Sequence, residues 1–115
     1  MIRNKTDRPW GNYIIIESEL NYKVKKITVN PGQRLSYQFH NKRSESWTII
    51  QGSGIMVMND NEYQVNYGDS IQIPVKSKHR IHNNTDNVLV FIEVQTGEYF
   101  GEDDIIRIKD DYNRI

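Results

Sequence analysis

Gly32-Gln33-Arg34-Leu35-Ser36-Tyr37-Gln38-Phe39-His40-Asn41-Lys42-Arg43-Ser44-Glu45-Ser46-Trp47-Thr48-Ile49-Ile50-Gln51-Gly52 is the stretch that decides the fold. It reads as a strand over Arg34–His40, a polar turn, and a second strand over Ser46–Gln51. Gln38 and His40 are two residues apart, so on a strand they share one face. Glu45 opens the second strand, and an antiparallel partner would bring it beside His40. Further strands are expected at Asn12–Glu17, Tyr22–Val29, Gly54–Met58, Glu62–Val65, Ser70–Ile73, His79–His82 and Val88–Gln95. They are rich in Ile, Val, Tyr and Thr, and turn chemistry separates them. Asn30-Pro31-Gly32 suits a type II turn, and Asn59-Asp60-Asn61 suits a tight hairpin. Nine short strands without a helical period predict an all-β sandwich or barrel. In Tyr22–Val29 the apolar phase slips at Lys25-Lys26, which reads as a bulge. The tail from Gly101 has room for a short strand or one helical turn.

Composition narrows the function. The chain has 115 residues, 15 basic against 15 acidic side chains, three histidines and no cysteine. That length suits one domain, taken here as 1–115. Without cysteine there is no disulfide scaffold, no thiolate metal site and no thiol nucleophile. Zero net charge and a pI near 6.8 speak against a nucleic-acid partner. No apolar run approaches the roughly 18 residues of a membrane span, and Met1-Ile2-Arg3-Asn4-Lys5 leads into no apolar core. The expectation is a cytoplasmic protein with no membrane partner.

A second stretch, Gly68-Asp69-Ser70-Ile71-Gln72-Ile73-Pro74-Val75-Lys76-Ser77-Lys78-His79-Arg80-Ile81-His82-Asn83, completes the pattern. The two segments resemble the paired motifs of the cupin superfamily. The first matches at Gly32, His40, Glu45 and Gly52, with Gln38 where the first histidine usually stands. The second matches at Gly68, Pro74, His79 and Asn83, with Lys76 in place of a glycine. A narrower resemblance spans nearly the whole chain, through Arg8-Pro9-Trp10-Gly11, Gln38-x-His40, Arg43-x-Glu45-x-Trp47, His79-Arg80 and Gly101-Glu102-Asp103-Asp104-Ile105-Ile106-Arg107. It is similar to the C-terminal cupin domain of type II mannose-6-phosphate isomerases, in which a mannose-1-phosphate guanylyltransferase domain often precedes the cupin.

The resemblance implies a cupin-type double-stranded β-helix, a jelly-roll barrel. It implies metal ligands Gln38, His40, Glu45 and His79. Two imidazoles, one carboxylate and one amide oxygen suit a divalent ion such as zinc, manganese, cobalt, nickel or iron. His82, three residues from His79, falls on the opposite strand face. The implied activity is the interconversion of mannose 6-phosphate and fructose 6-phosphate through a cis-enediolate. With no histidine left over, the proton carrier is a carboxylate, a lysine or metal-bound water, and Glu102, Asp103, Asp104 and Glu93 are the candidate carboxylates. Arg43, Lys42, Arg80 and Arg107 are the candidate substrate-binding cations. Asn41, Lys42 and Ser46 depart from the family pattern at positions expected near the pocket mouth. They favour an alternative, a metal- and sugar-phosphate-binding cupin without turnover; another small-molecule cupin enzyme is a third option. A homodimer is expected, with the Thr6–Ile16 strand as swap or cover, and a separate guanylyltransferase is a candidate partner.

Overall fold

The computed structural model describes residues 4–114. Residues 1–3 and 115 of the expected 1–115 domain lie outside the described residues. The strands are β1 (Lys5–Arg8), β2 (Gly11–Ser18), β3 (Tyr22–Val29), β4 (Tyr37–Phe39), β5 (Arg43–Gln51), β6 (Ser53–Met58), β7 (Asn61–Asn66), β8 (Ser70–Ile73), β9 (His79–His82), β10 (Leu89–Gly97) and β11 (Ile106–Lys109), with a short 3-10 turn at Glu102–Asp104. They form two antiparallel sheets, ordered β1-β2-β3-β10-β5-β8 and β11-β4-β9-β6-β7. Among the described residues no helix is long and apolar enough to cross a membrane.

The turns follow their residues. Gly32 has φ +77° and the Gln33 N–H donates to the Asn30 carbonyl at 3.1 Å, a type II turn. Asn59 and Asp60 both have positive φ between the paired residues Met58 and Asn61, a type I′ hairpin. Lys76, in the place of a motif glycine, adopts φ +69°; its N–H donates to the His40 carbonyl at 2.7 Å, which ties the two motifs together.

Three expectations change. The bulge lies in β2 rather than β3: Ile15 pairs with Lys25 and Glu17 with Val24, so Ile16 is the extra residue. β3 keeps its phase, and Lys25 points inward with Ile27 and Val29. Thr6–Ile16 is not one strand free to swap but a hairpin, β1 and β2, folded onto β3 of its own chain. The second motif strand begins at Arg43 rather than Ser46, so Arg43 lies in a strand and shares the inward face of Glu45 and Trp47.

That inward face carries the architecture of the site. Along β3 the inward residues run Lys25, Ile27, Val29; along β10 they run Leu89, Phe91, Glu93, Gln95; along β5 they run Arg43, Glu45, Trp47, Ile49. The registers Leu89↔Val29, Glu93↔Lys25, Glu93↔Trp47 and Gln95↔Glu45 align these runs. One end of the barrel is therefore apolar and the other polar. Trp47 stacks on Phe91 (centroids 4.3 Å apart, planes at 25°) where the two halves meet.

Candidate active site

The polar end opens into a pocket of about 160 Å³. Gln38, His40 and Glu45 line it from the first motif, and His79 from the second motif lies beside Glu45. Gln38 on β4 pairs in register with His79 on β9, and His40 follows on the same face as Gln38. Ligand atoms of His40, Glu45 and His79 lie within 4.8 Å of one another, and all three residues are buried.

Hydrogen bonds orient the two imidazoles. His40 Nδ1 is 3.0 Å from the Asp104 carbonyl oxygen, and His79 Nδ1 is 2.8 Å from that of Ser77. A carbonyl only accepts, so each Nδ1 carries a proton and each Nε2 points inward. Those atoms meet the Glu45 carboxylate, at 3.0 Å for His40 and 3.7 Å for His79. Glu45 also accepts from Arg43 Nε and Trp47 Nε1, each at 3.0 Å. Burial alone raises the Glu45 pKa, but the hydrogen bonding and positive charge around it outweigh that cost, so the carboxyl lies well below its usual range. Burial, ahead of the charges of His40 and Arg43, depresses His79 and keeps it neutral, despite Glu45 and the Ser77 carbonyl.

The donor set fits a divalent cation. Gln38 Oε1 and His79 Nε2 are buried acceptors with no hydrogen-bond partner. Two lone pairs left bare beside an ionised carboxylate have the geometry and charge of a cation site, with Nδ1–H bonds fixing the tautomers as outer-shell partners do.

The other candidates separate. Glu93 is buried in the pocket wall and accepts from Gln95 Nε2 at 2.5 Å. Burial, then the neighbouring Glu45 charge, pushes its carboxyl up to about 7, against the pull of Lys25, Gln95 and Arg43. Glu102 lines the pocket at its exposed rim, 4.0 Å from Arg8. Asp103 is exposed and accepts from the Tyr99 hydroxyl instead of facing the pocket. Asp104 is buried, but its carboxylate accepts from the backbone N–H groups of Asn41 (3.0 Å) and Lys42 (2.9 Å). It holds the chain next to His40 and does not line the cavity.

Among the cations, Arg43 and Arg107 face the pocket, and Arg43 Nη1 and Arg107 Nε are buried without partners. Arg80 does not: it alternates to the other face of β9, donates to the Leu35 and Lys109 carbonyls, and lines an outer cleft with Tyr37 and Asp60. Lys42 is exposed, its Nζ 4.8 Å over the Tyr99 ring outside the pocket. Ser46 faces outward and accepts from Gln72 Nε2, and Asn41 lies in the outer cleft with Lys42 and Tyr99. None of the three departures from the family pattern lines the pocket. His82 is half-buried and is not part of the buried His40/Glu45/His79 cluster. Pocket residues missed in the sequence are Arg8, Tyr13, Lys25 and Arg114. The sequence reading took Lys25 as a slip in the apolar phase of Tyr22–Val29, so its inward position was not expected.

The two sheets, the paired motifs and the histidine–carboxylate cluster define a cupin, a double-stranded β-helix. A cupin-2 domain from Rhodospirillum rubrum superposes with a TM-score of 0.71 at 21% identity, over 81% of this chain and 67% of that one. Residues 1–110 match the family described as mannose-6-phosphate isomerase C-terminal, and the chain belongs to that family. It is 42% identical over 107 residues to the alginate biosynthesis protein AlgA of Pseudomonas aeruginosa, covering 93% of this chain and 22% of the relative. It is 39% identical to a mannose-1-phosphate guanylyltransferase of Klebsiella pneumoniae, covering 93% of this chain and 23% of that protein. The chain thus spans about a fifth of the length of the curated relatives it matches.

Proposed function

We propose that this cupin interconverts mannose 6-phosphate and fructose 6-phosphate. The observation that carries the reading is the meeting of three complementary parts: a buried His40/Glu45/His79 cluster with Gln38 on the adjoining pocket wall, a buried carboxyl pushed up to about 7, and guanidinium nitrogens of Arg43 and Arg107 left without partners. Gln38, His40, Glu45 and His79 would hold a divalent ion, which supplies Lewis-acid polarisation at the sugar's carbonyl end. Glu93 carries the proton between C1 and C2, because a carboxyl with a pKa near the working pH both takes and returns it. Arg107, with Arg8 and Arg114 at the rim, takes the phosphate, where guanidinium forks match phosphate oxygens. Asp104 positions His40 by holding the chain beside it.

The test is a coupled assay on mannose 6-phosphate with each of zinc, manganese, cobalt, nickel and iron. Turnover that a chelator abolishes supports the reading. No turnover with any metal, from folded and loaded protein, overturns it.

One observation favours the second reading, a binding module without turnover. Arg43 Nε lies 3.0 Å from Glu45, and its Nη2 lies 3.4 Å from His40 Nε2, so a guanidinium competes for two of the ligand atoms. Stabilisation by the sugar phosphate without turnover would select it. Because the relatives are four to five times longer, we also propose that the domain works beside a guanylyltransferase, and as a homodimer through exposed strand edges.

A further inference from the structure

We propose that Lys25 is a catalytic residue of this pocket, whose ammonium donates a hydrogen bond to the anionic oxygen developing at the reacting end of an open-chain sugar phosphate. This rests on the isomerase reading above and names a group that reading leaves out.

Lys25 is a lysine turned into the barrel and only 8% exposed. It stands directly across from Glu93 in the β3–β10 register, and both line the same pocket. An ammonium ion is strongly hydrated, and burying one without a compensating partner is costly. Among the described residues no carboxylate lies within 4.0 Å of its Nζ. Its close companion is the face of Tyr13, 4.3 Å from the ring centroid. Arg8 also approaches that ring, with its guanidinium carbon 5.2 Å from the centroid and Nη2 3.3 Å from the hydroxyl. Tyr13 thus serves two cations at once and satisfies neither as an anion would. A buried lysine so held is preorganised for a negatively charged oxygen brought by a ligand.

Depth decides which oxygen. Arg8 and Glu102 at the rim have side chains 35% and 53% exposed, and Arg114 is 22% exposed. The rim takes the doubly charged phosphate. Lys25 lies deeper, beside the carboxyl assigned to proton transfer. There Glu93 removes the C2 proton, the C2–H electron pair forms the C1–C2 double bond, and the carbonyl pair moves onto O1. Lys25 donates to that oxygen. Glu93 returns the proton to C1, the O2 proton passes to O1, and the carbonyl re-forms at C2, with no net oxidation.

Lys25→Met keeps the unbranched stem against Tyr13 and removes the charge; Lys25→Arg keeps the charge. Thermal unfolding first establishes that each variant is folded. Two readouts follow on metal-loaded protein. The first is kcat and KM for mannose 6-phosphate: Lys25→Met should lose about 100-fold in kcat with little change in KM, the size of loss seen when one oxyanion donor is removed, and Lys25→Arg should recover part of it. The second is calorimetric binding of a five-carbon aldonate 5-phosphate, whose carboxylate places charge where the enediolate forms. Lys25→Met should weaken it at least about tenfold while inorganic phosphate binds as before. Wild type that binds the aldonate with this Lys25 dependence but never turns over defeats the isomerase reading and leaves the Lys25 assignment standing. Turnover without that dependence, or a rise in KM and loss of phosphate binding at unchanged kcat, defeats the Lys25 assignment alone. Wild type that binds neither ligand defeats both.

Discussion

Replacing Glu93 by glutamine should stabilise the protein at neutral pH while abolishing its proposed activity. Glu93 is 5% exposed, and burial together with the Glu45 charge raises its carboxyl from an ordinary value of 4.5 to about 7. A raised carboxyl favours the folded state fully below about pH 4.5, where both states are protonated. That contribution is lost as pH climbs to about 7, because the unfolded chain ionises first. The difference of about 2.5 pH units corresponds to about 3 kcal/mol, at 1.36 kcal/mol per unit. Glutamine keeps the shape and accepts the Gln95 amide but cannot ionise. Urea denaturation of metal-free wild type and Glu93→Gln at about pH 4.5 to 8.5 checks this. The two should nearly coincide at the acid end, diverge by roughly 1 kcal/mol per pH unit, and run parallel above pH 7 with the variant about 3 kcal/mol more stable. Parallel curves at every pH would refute the buried, neutralisable Glu93 and remove it as the proton carrier. A site that gives up stability to hold such a group is where function is expected.

Other perturbations follow from single contacts. Phe91→Ala empties the stack on Trp47 in the closed half of the barrel and should cost about 3–5 kcal/mol in chemical denaturation. Asp104→Ala removes the acceptor for two backbone N–H groups beside His40; it should cost about 2 kcal/mol and weaken metal affinity about 10-fold or more by titration. Asp111→Asn weakens the exposed bidentate pair with Arg34 and should change stability by less than about 1 kcal/mol in the same assay.

The candidate metal ligands were legible through the family resemblance of two motifs, one carrying Gln38-x-His40 and Glu45 and the other, more than thirty residues on, carrying His79. Their convergence depends on the Gln38–His79 register, which the motifs implied together and neither showed alone. The acidic run Glu102–Asp104 was the ambiguous part. Sequence gave three equivalent carboxylates, and a single 3-10 turn divides them into a rim residue, an outward one and a buried clamp. Arg43 was read as a turn residue because strand propensity is weak across Arg43-Ser44-Glu45, yet pairing with β10 extends the strand to include it. Lys25 was misread for the opposite reason. A charge at an inward position looks like a broken pattern until the pocket it lines is known.

The most direct test of the proposed chemistry is proton exchange in heavy water. Mannose 6-phosphate incubated with metal-loaded protein in D2O and followed by proton NMR should yield fructose 6-phosphate with deuterium entering at C1 and, on reversal, at C2 of mannose 6-phosphate, and Glu93→Gln should abolish both. Unlabelled, unconverted mannose 6-phosphate after incubation with folded, loaded wild type would contradict the account.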